Sequence, residues 1–244
     1  MIFNWIRPSH IPYPNIWLRF QAKDLDSDNL VEYIVEDLSE DRFDDAINFM
    51  TTKFLANAPM AKLRNGANDS MYVQDSVGIW KNILQQRITH VCFKEGSSEI
   101  VGLNFNYVAS RNDPPLLGDI KSEAFLQNMR VFSILSDYGN FDVFDKYGVE
   151  EYLSSFGMCV TKEYAGRKIG ENLLKASKYL AKPCDLKLRH AFFTSNISNK
   201  IAENLGYITD VELSFKEIQR IDPSLMLDNI DSSKATIRTW VFED

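Results

Sequence analysis

The chain has 244 residues, 45% hydrophobic and 25% charged, which suits one sizeable folded core and not a disordered chain. Its 34 acidic and 27 basic side chains leave a net charge of −7, which argues against a general nucleic-acid binder. No apolar run reaches the roughly 18 residues of a membrane span, and the N-terminus lacks the apolar stretch of a signal peptide. Cys92, Cys159 and Cys184 have no paired spacing and fit reduced thiols in a cytoplasmic setting. His10, His90 and His190 are too scattered for a zinc-ligand pattern, so no metal is expected.

Residues 1–29 carry Pro8, Pro12 and Pro14 and read as an irregular extension with a short strand at Ile16 to Phe20, ahead of a domain over residues 30–244. Leu30 to Leu38 alternates as a first strand. Ser39 reads as the N-cap of a helix running through Phe54, with Phe43, Ile47, Met50 and Phe54 on one face. A second helix starts at Asp75 or Ser76 and ends near Arg87. Thr89 to Lys94 and Ile100 to Ala109 then form a hairpin around Glu95-Gly96-Ser97-Ser98. Arg111 to Gly118 is a loop, Glu123 to Leu135 a helix, and Asp137 to Val149 a connection or helical turn. Residues 214–234 read as a long connection and Thr236 to Phe242 as the last strand. The acidic stretch from Asp24 to Asp45 reads as solvated outer faces, because exposed charges more than about 8–10 Å apart are largely screened.

Between these lies the most informative segment, Phe156 to Leu174 (FGMCVTKEYAGRKIGENLL). An apolar strand ends at Val160, a polar turn carries Gly166 and Gly170, and an amphipathic helix follows. Such a turn aims several backbone N–H groups at one spot beside the positive end of a helix dipole, which suits a phosphate or pyrophosphate. Glycine keeps side chains from holding an anion off the backbone. Arg167 and Lys168 add two positive charges inside the turn.

These residues resemble the acyl-CoA-binding motif of the GNAT superfamily of N-acetyltransferases: a strand ending in Val, four residues, then Q/R-x-x-G-x-G/A opening a helix. Val160, Tyr164, Gly166, Ile169 and Gly170 match it, whereas Ala165 stands where Arg or Gln is usual and Lys168 where the middle Gly is usual. A later strand, Leu188 to Phe193, a helix through Asn204, and the step Leu205-Gly206-Tyr207 fit the rest of the pattern; Gly206 reads as the positive-φ residue closing that helix. The resemblance implies a single-domain α/β fold with a mixed, mostly antiparallel sheet flanked by helices, and acetyl-CoA as co-substrate. It places Met158, Cys159 and Val160 along the pantetheine and Ser195 against the cofactor.

From about residue 31 onward, Asp41 to Leu63, the segment ending FGMCV, and Thr194 to Ser198 are similar to insect arylalkylamine N-acetyltransferases. That resemblance implies a small primary amine as acceptor; the charge and the lack of a long apolar run already argue for no nucleic-acid and no membrane partner. The resemblance also implies hydroxyls at Thr194 and Ser198 handling substrate and protons; capping of the following helix by Thr194, Ser195 or Asn196 is an equal reading. The relatives carry a Glu-Pro step whose glutamate acts as general base, and Asn57-Ala58-Pro59 puts Ala58 there. Either another carboxylate or water takes over, with Asp119, Asp142 and Asp145 as loose candidates, or weakly basic amines are preferred, or the chain is an impaired acyl-CoA-binding or regulatory protein. Cys159 as a nucleophile is a lesser reading, since a strand thiol is more often inert. Phe54, Phe125, Phe132, Tyr138, Phe141 and Phe144 read as core or as the lining of an aryl pocket.

Overall fold

Burial with a period of two along Leu30–Asp37 turns Tyr33, Val35 and Asp37 inward and sets one half of a sheet. The computed structural model describes residues 3–242; residues 1, 2, 243 and 244, the outer ends of the two segments assigned from sequence, lie outside the described residues. Strands β1 (Ile16–Lys23), β2 (Leu30–Asp37), β3 (His90–Lys94), β4 (Gly102–Ser110), β5 (Glu151–Val160), β6 (Leu188–Phe193), β7 (Ile208–Ser214) and β8 (Lys234–Val241) form one sheet. Its order is β1-β2-β3-β4-β5-β6-β8-β7. Every neighbouring pair is antiparallel except β5 with β6.

The helices are α1 (Phe43–Phe49), α2 (Leu55–Asn57), α3 (Pro59–Leu63), α4 (Ser70–Leu84), α5 (Glu123–Gly139), α6 (Val143–Tyr147), α7 (Ile169–Ala181), α8 (Asn196–Asn204) and α9 (Phe215–Ile221). On one face of the sheet, Phe49, Ile79, Trp80 and Phe125 pack on Val91, Leu103 and Phe105. On the other, Ile169, Leu173 and Ala176 of α7 pack on Tyr33, Val35 and Cys92. The mixed, mostly antiparallel sheet flanked by helices is thus the architecture the motifs implied. No described helix is long and apolar enough to cross a membrane.

The structure departs from the sequence reading in places. The leading segment is more regular than its prolines suggest: β1 spans eight residues along β2, and Phe3, Trp5 and Ile11 are buried. The helix begun at Ser39 is broken by a wide turn at Met50–Phe54 and ends at Ala58, whose ψ of 126 leaves the helical region ahead of Pro59. Ser39 precedes that segment without a side-chain capping bond. The second helix starts at Ser70 because Asp69 accepts hydrogen bonds from the N–H groups of Met71 and Tyr72. The connection over 214–234 contains α9, opened by a reciprocal Ser214–Glu217 cap.

Candidate functional site

The site grows from a single interruption of the sheet. β5 is registered against β4 along its length, but against β6 only at Leu153 with Arg189. Beyond that rung Phe156 to Val160 have no β6 partner, and these central-strand residues are only half-buried. Two strands part here and leave one edge of β5 free to pair with an extended ligand.

The edge is bent by a bulge. Asn104 pairs with Met158 and Asn106 with Ser155, so Phe156 and Gly157 of β5 oppose Phe105 alone. Gly157 has φ of +105, a conformation glycine adopts without strain, and a Cβ there would come within 2.7 Å of Met50 Cε and 3.4 Å of Phe54 Cζ. Trp80 Nε1 donates to the Phe156 carbonyl at 3.0 Å. The wide turn at Met50–Phe54 therefore lies over the bulge, with Phe54 edge-on to Trp80 and Phe125 stacked on Phe156.

At the end of β5, Thr161 leads into a single turn (Lys162–Tyr164), Gly166 at φ +78 and Lys168 at φ +59, and α7 begins at Ile169. The backbone N–H groups from Gly166 through Glu171 have no acceptor among the described residues; the first bond of the helix is Asn172 N to Lys168 O. Successive free N–H groups at the start of a 13-residue helix make an anion cradle, and the residues present fit a pyrophosphate. The two glycines do different jobs. Gly166 supplies the left-handed turn and has open space where its Cβ would be. Gly170 sits under the cradle, where a Cβ would meet Ile201 Cδ1 at 3.2 Å and Met158 Cε at 3.7 Å, so it lets α7 close on α8 and β5.

The positive charges do not behave as a pair. The Arg167 guanidinium turns away and donates to the carbonyls of Lys23, Glu163, Ala165, Asp24 and Leu25, tying the turn to the β1–β2 connection. Lys168 is exposed, in the left-handed conformation that the usual glycine would adopt freely. Cys159 is not poised as a nucleophile: burial pushes its thiol up to about 12, against the lowering effect of Lys53.

Across the cleft, Ser195 caps α8 and Ser198 completes the box: Ser198 N donates to Ser195 Oγ at 3.0 Å, and the two hydroxyls lie 2.8 Å apart. Thr194, one residue earlier and half-buried, takes no part in the cap. Sequence reasoning missed Asn199, whose amide donates to Phe193 O and Ser195 O while its carbonyl accepts from Thr236 and Arg238, so that α8 is pinned to β8.

Ala58 is packed at the edge of the core formed by α1, α4 and α5, and offers no titratable group. Of the alternative carboxylates, Asp142 caps α6, Asp145 pairs with Arg111 at 2.8 Å, and Asp119 is exposed on the 111–121 loop. The aromatic set divides. Phe54 and Phe125 gather near the bulge, Phe132 packs on Phe192, Phe141 and Phe144 pack on His190 and Tyr152, and Tyr138 is exposed. The acidic segment also hides an exception: Asp37 is fully buried and accepts from Arg7, Trp17 Nε1 and Asn15 N.

No protein-family model matches the chain. No curated protein matches it either. Among solved structures it is similar to the protein called arylalkylamine N-acetyltransferase 7 of the yellow fever mosquito Aedes aegypti, with 35% identity and a TM-score of 0.92 over 98% of this chain and 100% of the other. Arylalkylamine N-acetyltransferase 2 of Aedes aegypti (18% identity, TM-score 0.74) and the polyamine N-acetyltransferase of Drosophila melanogaster (12%, 0.64) share the fold, each over 86% of this chain and 99% of theirs. With parted central strands, a glycine-bearing anion turn and full-length similarity at that identity, this chain belongs to the insect arylalkylamine N-acetyltransferase family of the GNAT superfamily.

Proposed function

We propose that the protein is an acetyl-CoA-dependent N-acetyltransferase acting on a small primary amine, with arylalkylamines as the leading acceptor class. The observation that carries this reading is the continuity between the parted edge of β5 and the free N–H groups from Gly166 to Glu171, which together suit an extended chain ending in a pyrophosphate. The co-substrate supplies an acetyl group activated as a thioester. On this reading Met158, Cys159 and Val160 offer backbone groups to the pantetheine, the turn from Gly166 to Gly170 holds the pyrophosphate through its amides, and the bulge at Phe156–Gly157 supplies the backbone donor for the thioester oxygen.

Transfer is direct, in a ternary complex. The amine nitrogen attacks the carbonyl carbon, the C–S bond breaks, and no acyl-enzyme forms; a Cys159 thiol held near 12 supports the direct route. A free alkylamine has a pKa near 10, so only about one in a thousand is neutral at pH 7 and a proton has to leave before attack. Ala58 supplies no base; Thr194, whose hydroxyl is left out of the α8 cap, is the hydroxyl we assign to relay that proton through water. Ser198 is engaged with Ser195, which supports a structural share in its role.

The second reading, an impaired acyl-CoA-binding or regulatory protein, draws on Ala58 itself. Calorimetric binding of acetyl-CoA, followed by CoA release with a panel of amines, separates the two. Micromolar binding with amine-dependent release supports the enzyme, and binding without release with any amine supports the second reading.

A further inference from the structure

Arg189 differs from the other buried arginines. Arg7 pairs with Asp37 and Arg238 with Glu203, whereas no carboxylate among the described residues faces Arg189. Its side chain is fully buried. Nη1 donates to Asn106 Oδ1 at 2.8 Å and Ser177 Oγ at 2.7 Å; Nε and Nη2 meet no acceptor in full hydrogen-bond geometry among the described residues, with the Tyr207 phenol the neutral group that interacts with the guanidinium. The titratable groups around it are neutral at pH 7: the phenols of Tyr107 on β4 and Tyr207 before β7, and on β3 the His90 ring, which burial and then the Arg189 charge hold near 3. A positive charge kept in a sheet interior without a counter-charge is costly for stability alone.

Its location gives it a use. Arg189 forms the last rung between β5 and β6 before the strands part, and the Asn106 that anchors its guanidinium is the strand partner of Ser155, the residue just before the bulge. The guanidinium thus lies beside the vertex of the cleft: its own rung with Leu153 is three residues along β5 from Phe156, and its anchor Asn106 pairs with Ser155, which adjoins the bulge where the thioester is read to sit. We propose that Arg189 is a positioning residue for charge: its buried guanidinium, acting through the vertex of the cleft, stabilises the negative charge that develops on the thioester and on the departing sulfur. This rests on the cofactor site proposed above. In the step it assists, the neutral amine nitrogen bonds to the carbonyl carbon, the C–S bond breaks to give the thiolate, and one amine proton passes to that sulfur, so no further reactant is needed.

The test is a pH titration of the thiol of CoA bound to the whole protein, read by its ultraviolet thiolate absorbance. The bound thiol is expected to ionise about one unit below free CoA. Arg189→Met should raise that value by about one unit, tenfold in ionisation, with CoA affinity held within about threefold. Arg189→Lys should keep it low. A native bound thiol that ionises at or above the free value overturns the proposal, as does an Arg189→Met protein that binds CoA with the native value. Should Arg189→Met fail to fold, the native titration decides alone. Failure of the native protein to bind CoA overturns the cofactor site and this inference with it, whereas binding with an unshifted thiol overturns this inference only.

Discussion

The two walls of the cleft are built by different means. The wall proposed for the cofactor, β5 through α7, is one continuous segment that offers backbone groups: the free edge of Phe156–Val160 and the amides from Gly166 to Glu171. The wall proposed for the acceptor brings Met50 and Phe54 from the broken helix, Trp80 from α4 and Phe125 from α5 over the bulge, and it is built of side chains. A backbone site tolerates substitution as long as its dihedral angles survive, which is how Ala165 and Lys168 can occupy positions that are otherwise Arg or Gln and Gly. A side-chain site has no such reserve, and on the proposed reading Ala58 leaves it without a carboxylate to act as base.

The largest expected effect joins the two walls. Gly157→Val forces a β-branched residue to φ +105 and pushes against Met50, so turnover should fall at least ~100-fold with a stability loss of about 3 kcal/mol. Amine-dependent CoA release and thermal melts measure both, and full activity would remove the bulge from the mechanism. On the cofactor wall, Gly170→Val should weaken acetyl-CoA binding by roughly tenfold through displacement of α7 from Ile201 and Met158, measured by calorimetry. Unchanged affinity would mean the cradle does not depend on that packing. On the acceptor wall, Ala58→Glu should raise turnover of tryptamine at pH 7 by about tenfold, the low end of general-base effects. A folded variant with no gain would place the base elsewhere.

Acid should act beneath the walls. Burial holds His90 near 3 and His190 near 4, below the unfolded value of about 6.5. Below pH about 6.5 the unfolded chain binds protons these rings refuse, so their contribution is complete above that pH and is lost as pH falls toward 4, at roughly 1.4 kcal/mol per unit for each ring. Burial raises Glu36 and Asp37, which opposes the trend at the acid end. Denaturant midpoints at pH 7 and pH 5 should differ accordingly, and His190→Gln should flatten the difference. The smallest effect is Lys168→Gly, which removes a left-handed lysine and should raise the melting stability by about 0.5 kcal/mol, a net of backbone relief and added chain entropy.

The cofactor wall was legible because its geometry is local. A strand ending at Val160, glycines at 166 and 170 and a helix beginning at Ile169 are separated by fixed numbers of residues, and local dihedral preference determines where the amides point. The cap of α8 was legible for the same reason, and hydrogen bonding selected Ser195 over Thr194 and Asn196. Composition and charge likewise suited one sizeable core, and no described helix is long and apolar enough to cross a membrane.

Other features needed the packed chain. Nothing in the spacing of Arg167 shows its side chain reaching carbonyls more than 140 residues away, because side-chain direction is decided by which neighbours are desolvated together. The burial of Asp37 with Arg7, the division of the aromatic residues, the role of Gly170 in closing α7 on α8, and the unpaired guanidinium of Arg189 beside the vertex are of the same kind. Sequence by itself determined most of the strands and the turn that opens α7, since both follow from short-range steric and hydrogen-bonding rules, but not the break at Met50–Phe54 or α9. Tertiary structure alone decided which charges are spent inside the protein and which face the cleft, since that depends on contacts between segments distant in the chain.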